Sequence, residues 1–353
     1  MVLQLLPAVL LLPLAVSPPP PCTPRDPGCA GAPYPLVTLD KYVGSLGAMC
    51  LDGSPAAFFI RQGAYTLNDS YIVDFCGGGW CYDEASCLAR AGNHLLGSSK
   101  FLPKDGGAFG LATGGLLSDS PTTNPDFWNW TKVFVIYCDG VSFTGDRTEP
   151  LVDKATGKKA WLRGKANLEA VFAELNASHG LQQAKRVIVS GNSAGGLTVY
   201  THLDRIRSMI SSAASVLGFP DGGYFLDIAD VHGQHSYRAN MANVFNLSSG
   251  ISGIEPACRT ANVGQEWRCI FAEYVFPFLK TPLFAVESLY DAWQIPNVEG
   301  AEVCNTAACV NDPAKMAIFQ GFRTQMLSAL QPVIKTAKGI WTDSCVAHWC
   351  VAH

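Results

Sequence analysis

The pentapeptide GNSAG at residues 191–195 constrains the fold of this chain more than any other stretch. It follows the apolar run 185–190 and precedes a segment with the apolar spacing of a helix. Its glycines lack a Cβ, so the strand and the helix can approach closely while Ser193 adopts a strained backbone conformation. This context favours a nucleophile elbow at Ser193, and a tight turn with an ordinary surface serine is the alternative.

Length and charge limit the classes of function. With 353 residues, 48% of them hydrophobic, the chain is long enough to bury a sizeable core, and one large domain fits its length as well as two smaller ones. Its formal net charge is −4 and lysine and arginine form no run, so we expect no nucleic-acid partner and no attraction to an anionic membrane surface. Small soluble substrates and polymers both remain open.

The N-terminal residues predict a secretory leader. Residues 2–16 form an apolar run that is too short for a comfortable membrane span. We therefore expect a signal peptide at residues 1–17, a proline-rich linker at 18–35 and one domain at 36–353. No lysine or arginine precedes the apolar run, and an uncleaved anchor is the alternative. The predicted mature protein is extracellular and has no stable membrane insertion.

The cysteines point to the same compartment. In an oxidising environment the thirteen cysteines form disulfides, each contributing ~2–4 kcal/mol. Their number is odd, so at least one is unpaired, bonds another chain or has lost its partner. Their spacings lack the paired CxxC pattern of zinc sites, which favours disulfides over metal. Sequons for N-glycosylation begin at Asn68, Asn129, Asn176 and Asn246.

A second glycine-rich segment follows a predicted strand. The apolar run 71–75 stops at CGGGWC, residues 76–81, and residues 83–91 then predict a helix. In serine hydrolases of the α/β type, such a loop supplies one amide of the oxyanion hole and the residue after the nucleophile supplies another. The latter amide is here that of Ala194. A plain glycine-rich turn is the alternative.

Strand-like and helix-like segments alternate along the chain. This alternation predicts a mostly parallel sheet with helices on both faces. The predicted strands are 71–75, 133–137, 185–190, 216–219, 283–286 and 339–342, and the predicted helices are 83–91, 163–177, the segment after residue 193 and 316–330.

An activated serine needs a base, and in α/β-hydrolases the acid and then the histidine follow the serine in the chain. Of the later histidines, His202 lies on the elbow helix too near the nucleophile. His232 and His235 form an H-x-x-H pair without a third metal ligand. His348 lies in a loop after a predicted strand, which suits a base. It is the favoured candidate once Ser193 is taken as the nucleophile.

The acid has more than one candidate. Asp291 follows the predicted strand 283–286, where the acid of a triad is mounted. Asp221 and Asp227 also follow the elbow, but they come so soon after its helix that little room is left for another strand and helix. The spacing of these residues along the chain favours Asp291 as the acid but does not exclude Asp221 or Asp227.

Several sequence blocks resemble the signature blocks of the pectin acetylesterase family, to which the animal lipid-protein carboxylesterase Notum also belongs. They run in the family order from about residue 36 to the C-terminus. The blocks are residues 50–55, 77–81, 124–127, 137–145, 191–196, 291–295 and 344–348.

The resemblance implies an α/β-hydrolase-like fold that works without a metal or an organic cofactor. It implies Asp291 rather than Asp221 as the acid. The implied catalytic triad is Ser193, Asp291 and His348, and the implied oxyanion donors are the backbone amides of Gly79, Trp80 and Ala194.

Two features depart from the family pattern. Asn192 stands where plant members usually have cysteine, a change that leaves the geometry of the elbow intact. The chain ends at His353, soon after His348, whereas family members usually continue with helical sequence. We therefore expect a truncated C-terminus, which would also account for the odd cysteine.

The sequence as a whole predicts a secreted, monomeric serine carboxylesterase that hydrolyses acetyl esters of a pectin-like cell-wall polysaccharide. One alternative is a Notum-like deacylase that removes a fatty acyl ester from a protein. Another is an inactive, secreted carbohydrate-binding homologue, against which the intact Ser193, Asp291 and His348 argue. The expected partner is therefore an acylated polysaccharide or an acylated protein.

Overall fold

The computed structural model describes residues 33–63, 69–106, 114–336 and 339–348. The predicted signal peptide and most of the predicted linker lie outside these residues, as do Asn68 and Cys350. Within them, no helix has both the length and the apolar character that a membrane span requires.

The described part of the chain forms an eight-stranded sheet and a separate two-stranded hairpin. Strands and helices are numbered here in chain order. The sheet contains β1 (Leu36–Thr38), β2 (Ala57–Arg61), β3 (Ser70–Phe75), β4 (Thr131–Val135), β7 (Arg186–Asn192), β8 (Ser215–Asp221), β9 (Ala285–Ser288) and β10 (Ile340–Asp343), and the hairpin consists of β5 (Leu151–Val152) and β6 (Lys159–Ala160).

The sheet is mostly parallel, as the alternation of strands and helices predicts. Its strand order is β1-β2-β4-β3-β7-β8-β9-β10. Neighbours from β4 to β10 along this order run parallel, while β1 and β2 add antiparallel strands at one edge. The carboxyl ends of β3, β7, β8, β9 and β10 therefore meet at one edge of the sheet.

Helices and short 3₁₀ segments fill the connections. The helices are α1 (Asp40–Leu46), α2 (Glu84–Arg90), α3 (Gly164–Ser178), α4 (Ala194–Ser208), α5 (Ser236–Leu247), α6 (Pro256–Ala261), α7 (Ala272–Val275), α8 (Gln294–Asn297), α9 (Ala307–Val310), α10 (Pro313–Ala329) and α11 (Gln331–Lys335).

The central strands are buried on both faces, which explains their continuous apolar sequence. In the β3–β7 register Val73 lies beside Val189, and both belong to the main core cluster. Ile72 lies beside Ile188, and both pack with Trp130 on the opposite face. The sheet thus lies between two apolar layers.

Disulfides cross-link the described residues, as the cysteine content predicts. Cys76 and Cys345 carry free thiols. In the same residues no group of three histidine, cysteine or acidic side chains is arranged to hold a metal ion. The disulfides are Cys50–Cys138, Cys81–Cys87, Cys258–Cys269 and Cys304–Cys309.

Candidate active site

Ser193 occupies the sharp turn between β7 and α4. Its φ of 56° and ψ of −124° are unfavourable for a residue with a side chain. Close backbone contacts explain the flanking glycines, because a Cβ at Gly195 would lie 2.0 Å from the Phe75 carbonyl oxygen. A Cβ at Gly191 would lie 2.5 Å from the carbonyl oxygen of Gly195. The junction therefore has the strained geometry of a nucleophile elbow.

The three predicted triad side chains meet at the carboxyl edge of the sheet. His348 Nε2 lies 2.7 Å from Ser193 Oγ, and His348 Nδ1 lies 3.0 Å from each carboxylate oxygen of Asp291. Asp291 is 0% exposed and Ser193 only 6%. The residues follow β7, β9 and β10, and parallel pairing brings the ends of these strands to one edge.

The Asp291 carboxylate is held by donors of its own segment. Its Oδ1 accepts the backbone N–H groups of Trp293 and Gln294, both at 2.8 Å. Its Oδ2 accepts the side-chain amide of Gln294 at 3.1 Å. The carboxylate thus faces His348 in one orientation, Nδ1–H donates to it, and Nε2 is left to accept the Ser193 hydroxyl proton.

The glycine loop after β3 passes directly beside Ser193. A Cβ at Gly77 would lie 2.8 Å from Ser193 Cβ, and the Gly77 N–H donates to Asn192 Oδ1 at 3.0 Å. Asn192, which departs from the family pattern, therefore ties this loop to the elbow. Gly79 has a φ of 63°, so the loop turns sharply before Trp80.

Ala194, whose amide is the other predicted oxyanion donor, lies directly after Ser193. It is the first residue of α4, so its N–H is one of the four donors that have no carbonyl partner within a helix. The amide immediately follows Ser193 in the chain, where the helix dipole favours negative charge. Loop and helix together have the parts that an oxyanion hole needs.

Comparison with known proteins identifies the family of this chain. The family model described as Pectinacetylesterase matches residues 31–353. The chain belongs to this family. Pectin acetylesterases 7 and 11 of Arabidopsis thaliana are 38% and 36% identical to it over 324 residues, which cover 89% of this chain and 79% of each relative.

Notum proteins are related as well. The palmitoleoyl-protein carboxylesterase NOTUM of Drosophila melanogaster is 30% identical over 309 residues, which cover 85% of this chain and 42% of that protein. A solved structure of the Wnt deacylase Notum from Drosophila matches with a TM-score of 0.77 at 26% identity, covering 91% of this chain and 87% of the other. The chain is thus a carboxylic ester hydrolase with an α/β-hydrolase-like fold, and the predicted family, fold and enzyme class are confirmed.

Ser142 connects the two sides of the predicted oxyanion hole in this esterase. Its hydroxyl accepts the Trp80 indole N–H at 2.8 Å and donates to the Ala194 carbonyl at 2.9 Å. Its N–H donates to the Tyr137 hydroxyl at 3.0 Å, and that hydroxyl donates to the Gly79 carbonyl at 2.7 Å. Sequence reasoning missed Ser142, although it lies within the family block 137–145.

The other histidines weighed in the sequence analysis have different surroundings. His202 is buried on α4, its Nε2 lies 3.1 Å from the Ser142 carbonyl oxygen, and burial lowers its pKa to about 3. It is therefore neutral at physiological pH. His232 and His235 are exposed before α5. Of the candidates from sequence, His348 is the one observed beside Ser193 Oγ.

The competing acids have other contacts. The Asp221 backbone carbonyl accepts the Ser193 N–H at 2.9 Å, so this residue supports the elbow through its main chain. The Asp227 carboxylate accepts from Arg238 at 2.7 Å and from the Tyr274 hydroxyl at 2.7 Å. Of the acids considered from sequence, Asp291 is the one that contacts His348.

Aromatic rings surround the His348 imidazole. The Trp293 ring is stacked on it with centroids 5.8 Å apart, and the Phe225 ring lies 5.9 Å away. Phe225 also meets Trp80 edge to face at 4.8 Å, and Tyr237 closes the group at 6.0 Å from Trp80. The His348 imidazole therefore lies within a group of aromatic side chains.

Proposed function

We propose that this carboxylesterase is a secreted serine esterase that removes acetyl groups from a pectin-like cell-wall polysaccharide. The observation that carries the proposal is the continuous hydrogen-bonded chain from Ser193 through His348 to Asp291. A strained serine, an imidazole and a buried carboxylate in this order are the parts that acyl transfer needs at neutral pH.

The first step forms an acyl-enzyme. Ser193 Oγ attacks the ester carbonyl carbon while its proton passes to His348 Nε2, and Asp291 stabilises the imidazolium that results. The tetrahedral intermediate collapses, the C–O bond to the sugar breaks, and His348 returns the proton to the departing hydroxyl oxygen. Water then attacks the acyl-serine with the same base, which releases acetate and restores the serine.

The amides of Gly79, Trp80 and Ala194 stabilise the negative oxygen of each tetrahedral intermediate. These amides belong to a loop and a helix end that hydrogen bonds hold together. They are therefore oriented before the reaction, and no free energy is needed to reorient them in the transition state. One such donor typically lowers the barrier by ~2.7–4 kcal/mol.

Acetate is the proposed acyl group because aromatic rings cluster beside His348, which suits a small acyl group better than a long chain. The chain is also more similar in sequence to plant pectin acetylesterases than to Drosophila NOTUM, which supports acetate as the acyl group. The second candidate, a fatty acyl ester on a protein, is favoured by the match to the solved Notum structure.

Extracellular location is part of the proposal. It is supported by the disulfides and by the apolar N-terminal run. Expression with the native leader should release the protein into the medium, with a new N-terminus within the first tens of residues. Retention of the full chain in cells would contradict secretion.

Replacement of the nucleophile tests the mechanism. Ser193→Ala should lower turnover of p-nitrophenyl acetate by about 10⁶-fold and abolish covalent labelling by a fluorophosphonate. Ser208→Ala, an exposed serine at the end of the same helix, is the matched control and should leave both unchanged. Wild-type turnover by the Ser193 variant would remove this serine from the mechanism, and an unlabelled, inactive wild type would favour the binding homologue.

Acyl-chain length separates the two substrates. We expect kcat/KM for the acetyl p-nitrophenyl ester to exceed that for the octanoyl ester, because a long chain needs a deep apolar pocket. Faster turnover of the octanoyl ester would assign the enzyme to fatty acyl substrates. Acetate release from acetylated pectin then tests the polysaccharide directly.

A further inference from the structure

Two successive peptide groups of the glycine loop contain proposed oxyanion donors. The first consists of the Gly78 carbonyl and the Gly79 N–H, and the second consists of the Gly79 carbonyl and the Trp80 N–H. Neither N–H is hydrogen-bonded to a residue in the described part of the chain, so both are available to an anion. The two carbonyl groups, in contrast, both accept hydrogen bonds from side chains.

Arg90, the last residue of α2, binds the first carbonyl. Its Nη2 donates to the Gly78 carbonyl oxygen at 2.8 Å. Its Nε donates to the Leu96 carbonyl oxygen at 3.3 Å, and this second bond holds the guanidinium in place. A hydrogen bond from a charged donor is roughly twice as strong as one between neutral groups. The orientation of the Gly78 carbonyl is therefore fixed by a strong contact.

Tyr137 binds the second carbonyl. Its buried side chain places the hydroxyl 2.7 Å from the Gly79 carbonyl oxygen, to which it donates. The Arg90 guanidinium lies over the Tyr137 ring, 5.3 Å from its centroid, so the two side chains contact each other. Both carbonyl groups therefore point to the same side of the loop, towards this pair of side chains.

The planarity of the peptide group sets the direction of the two N–H groups. In a trans peptide the C=O and the N–H point in opposite directions. The described part of the chain contains no cis peptide bond. Because both carbonyls face Arg90 and Tyr137, the N–H groups of Gly79 and Trp80 both point away from that pair. Neighbouring N–H groups that point the same way form a concave site for an anion.

We propose that Arg90 and Tyr137 are positioning residues for the oxyanion hole, which hold two loop peptides by their carbonyls and so aim two N–H donors at the ester oxygen. The inference rests on the proposed function of Gly79 and Trp80. The charge of Arg90 also polarises the peptide that it binds, since linked hydrogen bonds strengthen one another. The Gly79 N–H thereby becomes a better donor to the negative charge that develops in the transition state.

Removal of the guanidinium tests the first contact. Arg90→Met keeps a long side chain without donors or charge, and it should lower kcat for p-nitrophenyl acetate about tenfold to a hundredfold with little change in KM. Arg207→Met is the matched control, because Arg207 also lies in the last turn of a helix and donates to the backbone carbonyls of residues 210–212. It should leave both constants unchanged. Wild-type kcat in a folded Arg90 variant, or an equal loss in the control, would overturn the proposal.

A transition-state analogue separates the positioning of donors from a general loss of structure. Phenylboronic acid forms a tetrahedral, negatively charged adduct with an active-site serine, so its affinity reports on the oxyanion donors without turnover. In Arg90→Met and in Tyr137→Phe the inhibition constant should rise in parallel with the fall in kcat/KM. An unchanged inhibition constant together with a lowered kcat would contradict the positioning roles.

Tyr137→Phe keeps the proposal testable if Arg90→Met does not fold by circular dichroism. It removes only the hydroxyl, and wild-type kcat and boronate affinity in this variant would then overturn the proposal. Labelling by a fluorophosphonate distinguishes this failure from that of the proposed function. A labelled wild type with unaffected variants would refute the positioning roles alone, whereas an unlabelled wild type would refute the proposed function itself.

Discussion

Ser142 illustrates how single residues connect distant parts of this site. Its hydroxyl is bonded to the Trp80 indole and to the Ala194 carbonyl, so both sides of the predicted oxyanion hole depend on it. Its φ of 50° is unfavourable for serine. The hydrogen bonds of the hydroxyl explain why a serine occupies this strained backbone conformation.

Loss of that hydroxyl should slow chemistry more than it weakens binding. For Ser142→Ala we expect kcat to fall about tenfold to a hundredfold with KM nearly unchanged, because the donors aimed at the transition state lose a support. Steady-state kinetics with p-nitrophenyl acetate measure both constants.

Ser142→Gly is the matched control for that prediction. Glycine also lacks the hydroxyl but tolerates a positive φ, so it separates the hydrogen bonds from backbone strain. Equal losses of kcat in both variants would assign the effect to the hydroxyl. Recovery in the glycine variant would assign it to strain, against our expectation.

At the scale of elements, the close contact between β3, β7 and α4 positions Ser193, the proposed nucleophile. A Cβ added at Gly195 would lie 2.0 Å from the Phe75 carbonyl oxygen at the end of β3. Backbone atoms cannot move aside as the end of a flexible side chain can. The glycine is therefore required by packing between elements and not only by the turn.

Two glycine substitutions test this argument. Gly195→Ala should lower the free energy of unfolding by at least ~1–3 kcal/mol, the usual cost of overpacking. Gly321→Ala in α10 is the matched control, because nothing lies within 4 Å of the added Cβ, and it should raise stability by ~0.5–1 kcal/mol. Urea unfolding measures both, and a Gly195 variant as stable as the control would contradict the packing argument.

Helices and strands were predicted best where apolar residues recur over a long segment. Strands β3 and β7 were found within a few residues of their predictions, since both are buried on two faces. The strand predicted at 133–137 is observed at Thr131–Val135, where pairing with β2 and β3 sets its bounds. The sequence analysis did not predict β1, β2 or the short helices between β8 and β9. Segments this brief show no clear apolar periodicity.

At the scale of the whole molecule, disulfides constrain segments that are far apart in the chain. Cys50–Cys138 spans a sequence separation of 88, whereas Cys81–Cys87 spans 6. If loss of chain entropy in the unfolded state dominates, the longer loop contributes more stability.

Paired alanine substitutions measure this difference. Removing Cys50–Cys138 should lower the free energy of unfolding by about 4–5 kcal/mol, and removing Cys81–Cys87 by about 2 kcal/mol. Guanidinium unfolding of both double variants, compared with the wild type, gives the two values. Equal losses would show that native-state contacts rather than loop length control the contribution.

The sequence by itself determined the nucleophile elbow and the family. Glycine sterics and a strand-to-helix junction are local, so the pentapeptide with the apolar run before it and the helical pattern after it indicates Ser193. The choice of Asp291 over Asp221 came from the resemblance, because spacing alone left both open. The residue types that acyl transfer needs were therefore visible before the fold was known.

Only the tertiary structure decided how those residues meet. Parallel pairing aligns the ends of β7, β9 and β10, and this register brings His348 to Ser193. The link through Ser142 depends equally on contacts between separate segments. Register and burial are collective properties of the packed chain, and a sequence pattern around any one residue does not contain them.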